Sequence, residues 1–477
     1  MTYETQQIWI KKGHKMYGYC QSSCQNAKNM YNTTNFYIRQ VFTALQSEKP
    51  LQPLQEEVLN EIRTNLDGMN ENQLLAYKRK LEKENKKPKE ERKEIKANLF
   101  QLPTKEKPFL SYGFLDALFK YRVQADYRSL PTQSSQWIMK SAFEDWKNFF
   151  KSLRDYKKLP HKYKGRPNIP SYSKASQKEL LLTNQDCTIK QDRYLKFPKT
   201  KTKLNIGKLG HSGKKLKQVR IIPKYNHYVI EIVFQGEETD LLEDNERYMG
   251  IDLGVNNLAT IITNTGMTPV LYKGKRAKSD NHYYNKKRAH YVGILRHGQN
   301  EKTGLFSSAR LERLHRKRFL KLKDQFHKVS HGIIRIALEE NVNTIVIGKN
   351  LGWKQSVKTG KRNNQAFCHI PHTLLINMIR YKAERLGITV KLAEESYTSK
   401  ASFLDGDDLP LYKEGETHLF SGKRVKRGLY RTKNGILLNA DVNGACNILR
   451  KVVPEAFNGL DGIEGLFVST PRVLSVR

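Results

Sequence analysis

From residue 249 onward, short apolar runs alternate with long amphipathic stretches, an order that restricts the second half of the chain to a layered α/β sheet. Met249–Leu253, Leu258–Ile262 and Pro269–Tyr272 read as three strands, with Asn264-Thr-Gly266 as the turn between the last two. Helices are expected at about 276–297 and 307–341, a buried strand at Thr344–Ile347, a helix from Pro371 to Leu386 stopped by Gly387, and a strand at Ile388–Leu392. In the second of these helices, Phe319, Leu322, Phe326, Val329, Ile333 and Ile336 share one face. Arg310, Arg313, Arg316, Lys317, Arg318, Lys321, Lys323 and Lys328 crowd elsewhere as a cationic ridge.

The first half reads differently. Tyr3 to Tyr19 is aromatic and apolar and suits one or two strands. A helix follows, with Ala27, Tyr31, Ile38, Phe42 and Leu45 on one stripe and Pro50 and Pro53 as breakers. Residues 55 to about 100 mix both charges and suit a solvated helical hairpin. Phe143, Trp146, Phe150 and Leu153 mark a packed helix over about 132–155. Lys164-Gly-Arg-Pro-Asn-Ile-Pro170 disfavours regular structure and marks a boundary. Beyond it, Leu180–Leu182, Leu195–Phe197, Val219–Ile222 and Tyr228–Phe234 read as strands of a small barrel or sheet. The lysines between them, Lys199, Lys201 and Lys203 among them, suit a nucleic-acid-facing surface better than a plain structural one.

Charge narrows the function. The 477 residues, enough for about three domains, carry 85 Lys+Arg against 47 Asp+Glu, a net charge of +38. Such an excess opposes compaction and calls for an anionic partner. No run approaches the ~20 apolar residues of a membrane span, and Met1 to Tyr17 has lysines with no apolar core behind them, so an intracellular protein is expected. Five scattered cysteines, Cys20, Cys24, Cys187, Cys368 and Cys446, argue against a disulfide framework. Cys20 and Cys24 supply only two of the four ligands a structural zinc needs and read as ordinary thiols.

Three acidic positions lie in or beside apolar elements. Asp252 interrupts a strand, where a carboxylate is costly unless paired or bound to a cation. Glu395 lies just past the Ile388–Leu392 strand, where a solvated loop residue is the ordinary alternative. Asp441 precedes a helix over Val442–Val452, and its rival role is that helix's N-cap. Converging at a sheet edge, the three would hold two Mg²⁺ ions, which activate water and stabilise the leaving oxygen in phosphodiester hydrolysis.

Gly250-Ile-Asp-Leu-Gly-Val-Asn-Asn-Leu-Ala-Thr260, Tyr397-Thr-Ser-Lys400 and Asn439-Ala-Asp-Val-Asn-Gly-Ala-Cys-Asn-Ile448 resemble, in that order, the RuvC-type motifs of the TnpB family. These are transposon-encoded RNA-guided DNA endonucleases related to compact type V CRISPR effectors and to Fanzor proteins. Lys164–Pro170 resembles a landmark of the same family. Two departures stand out. Most members place the second catalytic Glu directly after the strand matching Thr344–Ile347, where this chain has Gly348-Lys349-Asn350. A subset resembles this chain in placing it three residues before the Thr of the Thr-Ser pair, which assigns Glu395, with Glu394 as the neighbour open to confusion. Members also commonly carry two zinc-binding Cys pairs where residues 401–440 have no cysteine, so no zinc is expected.

The resemblance implies a multidomain fold: 1–25 and 164–244 as parts of a wedge β-barrel, 26–163 as a helical recognition domain, and 245–400 with 436–477 as an RNase H-like RuvC nuclease. Residues 401–435 would form a zinc-free, target-nucleic-acid-binding insertion. It implies Mg²⁺ held by Asp252, Glu395 and Asp441, a guide RNA from the transposon end, a double-stranded DNA target, no membrane, and a cytoplasmic, nucleoid-associated protein. Nucleic-acid contacts are expected from Lys164, Arg166, Lys199, Lys201, Lys203, Arg313, Arg316, Lys317, Lys321, Lys423, Arg424 and Arg427. Two rivals remain at this point: a nuclease-dead guided repressor, and a strand-transferring transposase acting on transposon ends.

Overall fold

The computed structural model describes residues 2–207, 214–236, 238–301, 303–349, 369–413, 415–426, 428–458 and 471–475. The chain divides into two compact units, Met1–Glu237 and Glu238–Arg477.

In the first unit, β1 (Tyr3–Ile10) is followed by α1 (Tyr17–Gln46), α2 (Pro53–Asn85), α3 (Tyr112–Tyr121), α4 (Ala125–Ser129) and α5 (Thr132–Lys158). Next come β2 (Leu180–Thr183), β3 (Thr188–Lys190), β4 (Tyr194–Lys196), β5 (Lys203–Asn205), β6 (Leu216–Lys224) and β7 (His227–Gln235). Aromatic residues bind the helices together. Trp146 on α5 is fully buried, packs edge-on against Phe42 of α1, and donates to Asn35 Oδ1 at 2.8 Å. The other end of the Asn35 carboxamide donates to the Pro170 carbonyl at 3.2 Å, so α1 also pins the Lys164–Pro170 segment.

Three expectations are corrected here. The strands make two separate antiparallel sheets, ordered β1-β7-β6-β2 and β3-β4-β5, and among the described residues no pairing closes either into a barrel. Helices cover the larger sheet instead: Cys24 of α1 meets the Ile221 carbonyl at 3.6 Å, and Ser134 of α5 donates to the Leu181 carbonyl at 2.6 Å. The N-terminal strand ends at Ile10, Gly13 turns the chain at φ +86°, and Tyr17 and Tyr19 already belong to α1, so residue 25 lies inside a helix. Residues 55–100 hold one long helix in place of a hairpin. Its packed positions, Gln55, Val58, Leu59, Ile62 and Met69, all fall in its first half, and the chain beyond Pro88 has little apolar surface to pay for a returning helix.

The second unit contains β8 (Tyr248–Asp252), β9 (Asn257–Thr263), β10 (Val270–Lys273), α6 (Lys275–Arg296), α7 (Ala309–Glu339) and β11 (Thr344–Gly348). It continues with α8 (His372–Glu384), β12 (Thr389–Ala393), β13 (Lys423–Lys426), β14 (Leu429–Arg431), β15 (Leu437–Asn439), α9 (Ala440–Val452) and β16 (Arg472–Leu474). The main sheet runs β12-β11-β8-β9-β10-β16, with β8, β9 and β10 antiparallel and β11 and β12 parallel to β8. Each face has its own core. Met249, Ile251, Ile345 and Ile347 pack with α7 and α8, whereas Tyr248, Val346 and Ala393 pack with Val442, Ala445, Ile448 and Leu449 of α9. Because successive strand residues alternate faces, Asp252 and Gly348 share the α9 side.

Among the described residues no helix is long and apolar enough to cross a membrane. Cys20, Cys24, Cys187 and Cys446 are buried free thiols; Cys368 lies outside the described residues.

Candidate active site

The carboxylates are carried by β8, by the segment after β12 and by α9 itself. Asp252 ends β8, and a Cβ added at Gly444 on α9 would lie 3.1 Å from its Oδ2, so the helix crosses very near this carboxylate. Asp441 sits in the first turn of α9 and is not the cap. Asn439 takes that role, accepting from the backbone N–H of Asp441 at 2.9 Å and of Val442 at 3.3 Å, which leaves the Asp441 carboxylate for other partners. Its Oδ2 accepts from Asn257 Nδ2 at 2.6 Å and its Oδ1 from Arg424 at 3.4 Å.

Glu395 follows β12. Its side chain crosses toward the end of β11, so that a Cβ at Gly348 would collide with Glu395 Oε1, with Ile448 Cδ1 (2.6 Å) and with Glu395 Cγ (2.9 Å). The missing side chain at Gly348 therefore leaves the space that this glutamate fills. Glu394 is held otherwise: Lys451 donates to its Oε2, and the Ser396 N–H and hydroxyl donate to Oε1. Desolvation pushes Glu394 up, but Lys451 and Ser396 outweigh it and keep the carboxyl below its ordinary range.

The electrostatics tie the three acids into a chain. Desolvation, then the charge of Asp441, pushes Asp252 up to about 7, with Arg424 opposing. Desolvation, then Asp252, then Glu394, pushes Glu395 up to about 8. Among the described residues, however, no three His, Cys, Asp or Glu side chains stand together at metal-ligating spacing. The oxygen-only donor set fits a hard divalent cation, which would offset the desolvation, and the repulsion added to it, that raise both carboxyls.

Buried amides on α9 fix the segment carrying Glu395. Asn447 donates to the carbonyls of Thr398 at 2.9 Å and Ala401 at 2.8 Å; Asn443 donates to Ala401 at 2.8 Å and accepts from the Phe403 N–H at 3.0 Å. Their spacing of four within Asn439–Ile448 was visible in the sequence, but their role was not. The cysteine-free segment after Lys400 is held by Tyr430, fully buried and donating to the Lys400 carbonyl at 2.7 Å, and by Asp407, which accepts from the N–H groups of Ser402 and Ser421.

The expected nucleic-acid residues separate into groups. Lys164, Arg166, Lys201, Lys203, Arg313, Lys317 and Lys423 are exposed, and Arg316 is half-buried. Lys199 lines a cleft of about 670 Å³ with Lys196, Phe197 and Lys201, and donates to the Arg128 carbonyl. Lys321 pairs with Asp280 at 2.8 Å, and Arg424 turns to Asp441. Arg318 does not belong to an outward ridge: it donates to Asn281 at 2.6 Å and lies over the Tyr284 ring, joining α7 to α6. Arg427 lies outside the described residues.

Several known proteins are similar to this chain. A family described as "Probable transposase" (OrfB_IS605) matches residues 231–354, and "Cas12f1-like, TNB domain" matches residues 372–448. The chain is 25% identical over 425 residues to "TnpB-like protein ORF457" of Acidianus two-tailed virus, covering 80% of this chain and 87% of that protein. A cryo-EM structure of a Cas12f1–sgRNA–target DNA complex aligns over 94% of this chain and 98% of that chain, at 11% identity and a TM-score of 0.42. The family matches span five of the six strands of the main sheet, all but β16, together with the segments around Asp252, Glu395 and Asp441, and they support RuvC-related nuclease homology for the second unit. In sequence the chain is thus similar to proteins of the TnpB/Cas12f-like family.

Proposed function

We propose that this chain is an RNA-guided, Mg²⁺-dependent DNA endonuclease, cutting DNA that pairs with a guide RNA made from a transposon end. The observation that carries the reading is the filling of the Gly348 space by Glu395: the position that would otherwise mark a broken site is occupied by a carboxylate from the segment just past the neighbouring strand, electrostatically coupled to Asp252. The sheet order, with three antiparallel strands followed by two parallel ones, supports an RNase H-like nuclease. Asp252, Glu395 and Asp441 would hold the metal, which supplies Lewis-acid activation of water and charge stabilisation at the leaving oxygen. Asn443 and Asn447 hold the Glu395 segment, Asn439 frees Asp441, and Lys451 keeps Glu394 apart. Guide and target would be gripped through backbone phosphates by the basic surfaces, which accounts for the +38 charge.

The test is to purify the protein expressed with its flanking DNA, sequence the RNA that accompanies it, and assay cleavage of matched DNA in Mg²⁺. Asp252→Ala is expected to lower cleavage at least about 100-fold while leaving guided binding intact. Binding with no cleavage by the unaltered protein would establish a guided repressor. The "Probable transposase" description favours one other reading, strand transfer on transposon ends; RNase treatment abolishes sequence-specific DNA binding in the guided case and spares it in that one.

A further inference from the structure

Beside Asp441 lies a cleft of about 680 Å³ lined by Gly254, Val255, Asn256, Asn257, Lys273 and Arg424, among others. Within it, Lys273 Nζ donates to Asn257 Oδ1 at 3.1 Å, and Asn257 Nδ2 donates to Asp441 Oδ2 at 2.6 Å. We infer that Lys273 and Asn257 are positioning residues that hold the Asp441 carboxylate in the orientation for a divalent cation, an inference that rests on the nuclease reading above.

The chemistry of the three groups fixes the direction of the relay. An ammonium only donates, so the Asn257 atom facing Lys273 must be its oxygen, and its NH₂ must face Asp441. Asp441 therefore receives a donor on Oδ2, which restrains rotation of the carboxylate about its own axis. Asn257 is only 8% exposed, so its carboxamide has little water to turn toward. The backbone is shaped to deliver the lysine. The β9–β10 register slips between Tyr272 and Lys273, leaving Lys273 opposite Asn257, and the Gly274 N–H donates to the Asn256 carbonyl at 2.7 Å. The neighbouring amide is held in the same way, with Lys278 Nζ 2.7 Å from Asn256 Oδ1. Arg424 also reaches Asp441, but from an exposed hairpin strand and at 3.4 Å, so the short contact to Asn257 dominates the orientation.

The experiment is a calorimetric titration of Mn²⁺ into the full-length protein freed of nucleic acid, with melting curves to confirm folding. Lys273→Met keeps the stem and removes the donor, which lets the Asn257 carboxamide turn over. It is expected to weaken Mn²⁺ binding about tenfold, the usual size of an effect transmitted through a ligand's own partner, whereas Lys273→Arg stays within about threefold of the parent. Nucleic-acid affinity at fixed salt is expected to change little in Lys273→Met. If Asp441→Asn weakens Mn²⁺ binding and Lys273→Met does not, the relay is overturned while the metal assignment stands. If Asp441→Asn leaves binding unchanged, the metal assignment itself fails and the relay with it. If Lys273→Met loses nucleic-acid binding and keeps Mn²⁺ affinity, Lys273 is a phosphate contact and the inference is wrong.

Discussion

Glu395 fills the space that Gly348 leaves open, and burial first, with the nearby carboxylates adding to it, favours the protonated forms of Glu395 and Asp252. Both carboxyls are raised, to about 8 and about 7, so between the ordinary carboxylate range and about pH 8 the folded chain holds more protons than the unfolded one. Under linkage, stability then falls as pH rises through that window and is lowest where both are ionised. His315 and His327 are held low, chiefly by desolvation, and act in the opposite direction. The clean measurement is therefore a difference. Asp252→Asn is expected to melt at a temperature closer to the parent's near pH 5 and several degrees above it near pH 8.5, in metal-free buffer. Adding Mg²⁺ at pH 8.5 should stabilise the parent and leave the variant nearly unmoved. An equal shift at both pH values would remove the coupled carboxylates from the account.

Elements position these acids, and the tightness of their packing sets what they tolerate. Gly348→Ala puts a methyl group into Glu395 and Ile448; about 1–3 kcal/mol of destabilisation is expected by denaturant titration, with cleavage lost because Glu395 is displaced. Asn447→Ala leaves two backbone carbonyls without their donor and is expected to cost about 1–3 kcal/mol, read in the same titration. Most of the sheet was legible because its signals are local: Met249–Leu253 and Thr344–Ile347 are short apolar runs, and they became β8 and β11. Sheet closure in the first unit was not legible, since whether β1 and β2 meet depends on partners more than 150 residues apart in sequence. The 55–100 segment misled for a related reason: charge of both signs marks a solvated helix but carries no signal for where it turns back. Asp441 was named from its motif, yet the Asn439 cap that separates it from the helix-starting role lies two residues earlier and needed the structure to be seen.

At the scale of the molecule, the charge of +38 would make the proposed association with nucleic acid an ion-release process. Binding of unrelated RNA is expected to fall by orders of magnitude between about 50 and 200 mM salt, with a linear log–log slope, and a flat response would exclude phosphate gripping as the source of affinity. The two units contribute cations from different elements, the lysines of β4, β5 and the turn between them in the first and the exposed part of α7 and β13 in the second. The sharing of one volume by residues 348 and 395 reaches further, into how such chains can diverge. A lineage moving the acid from one strand to its neighbour meets two bad intermediates: with both acids present the side chains collide, and with neither the site loses a charge. Single substitutions at either position are therefore each expected to be harmful while the paired exchange is tolerated, a coupling that a double-mutant cycle would read.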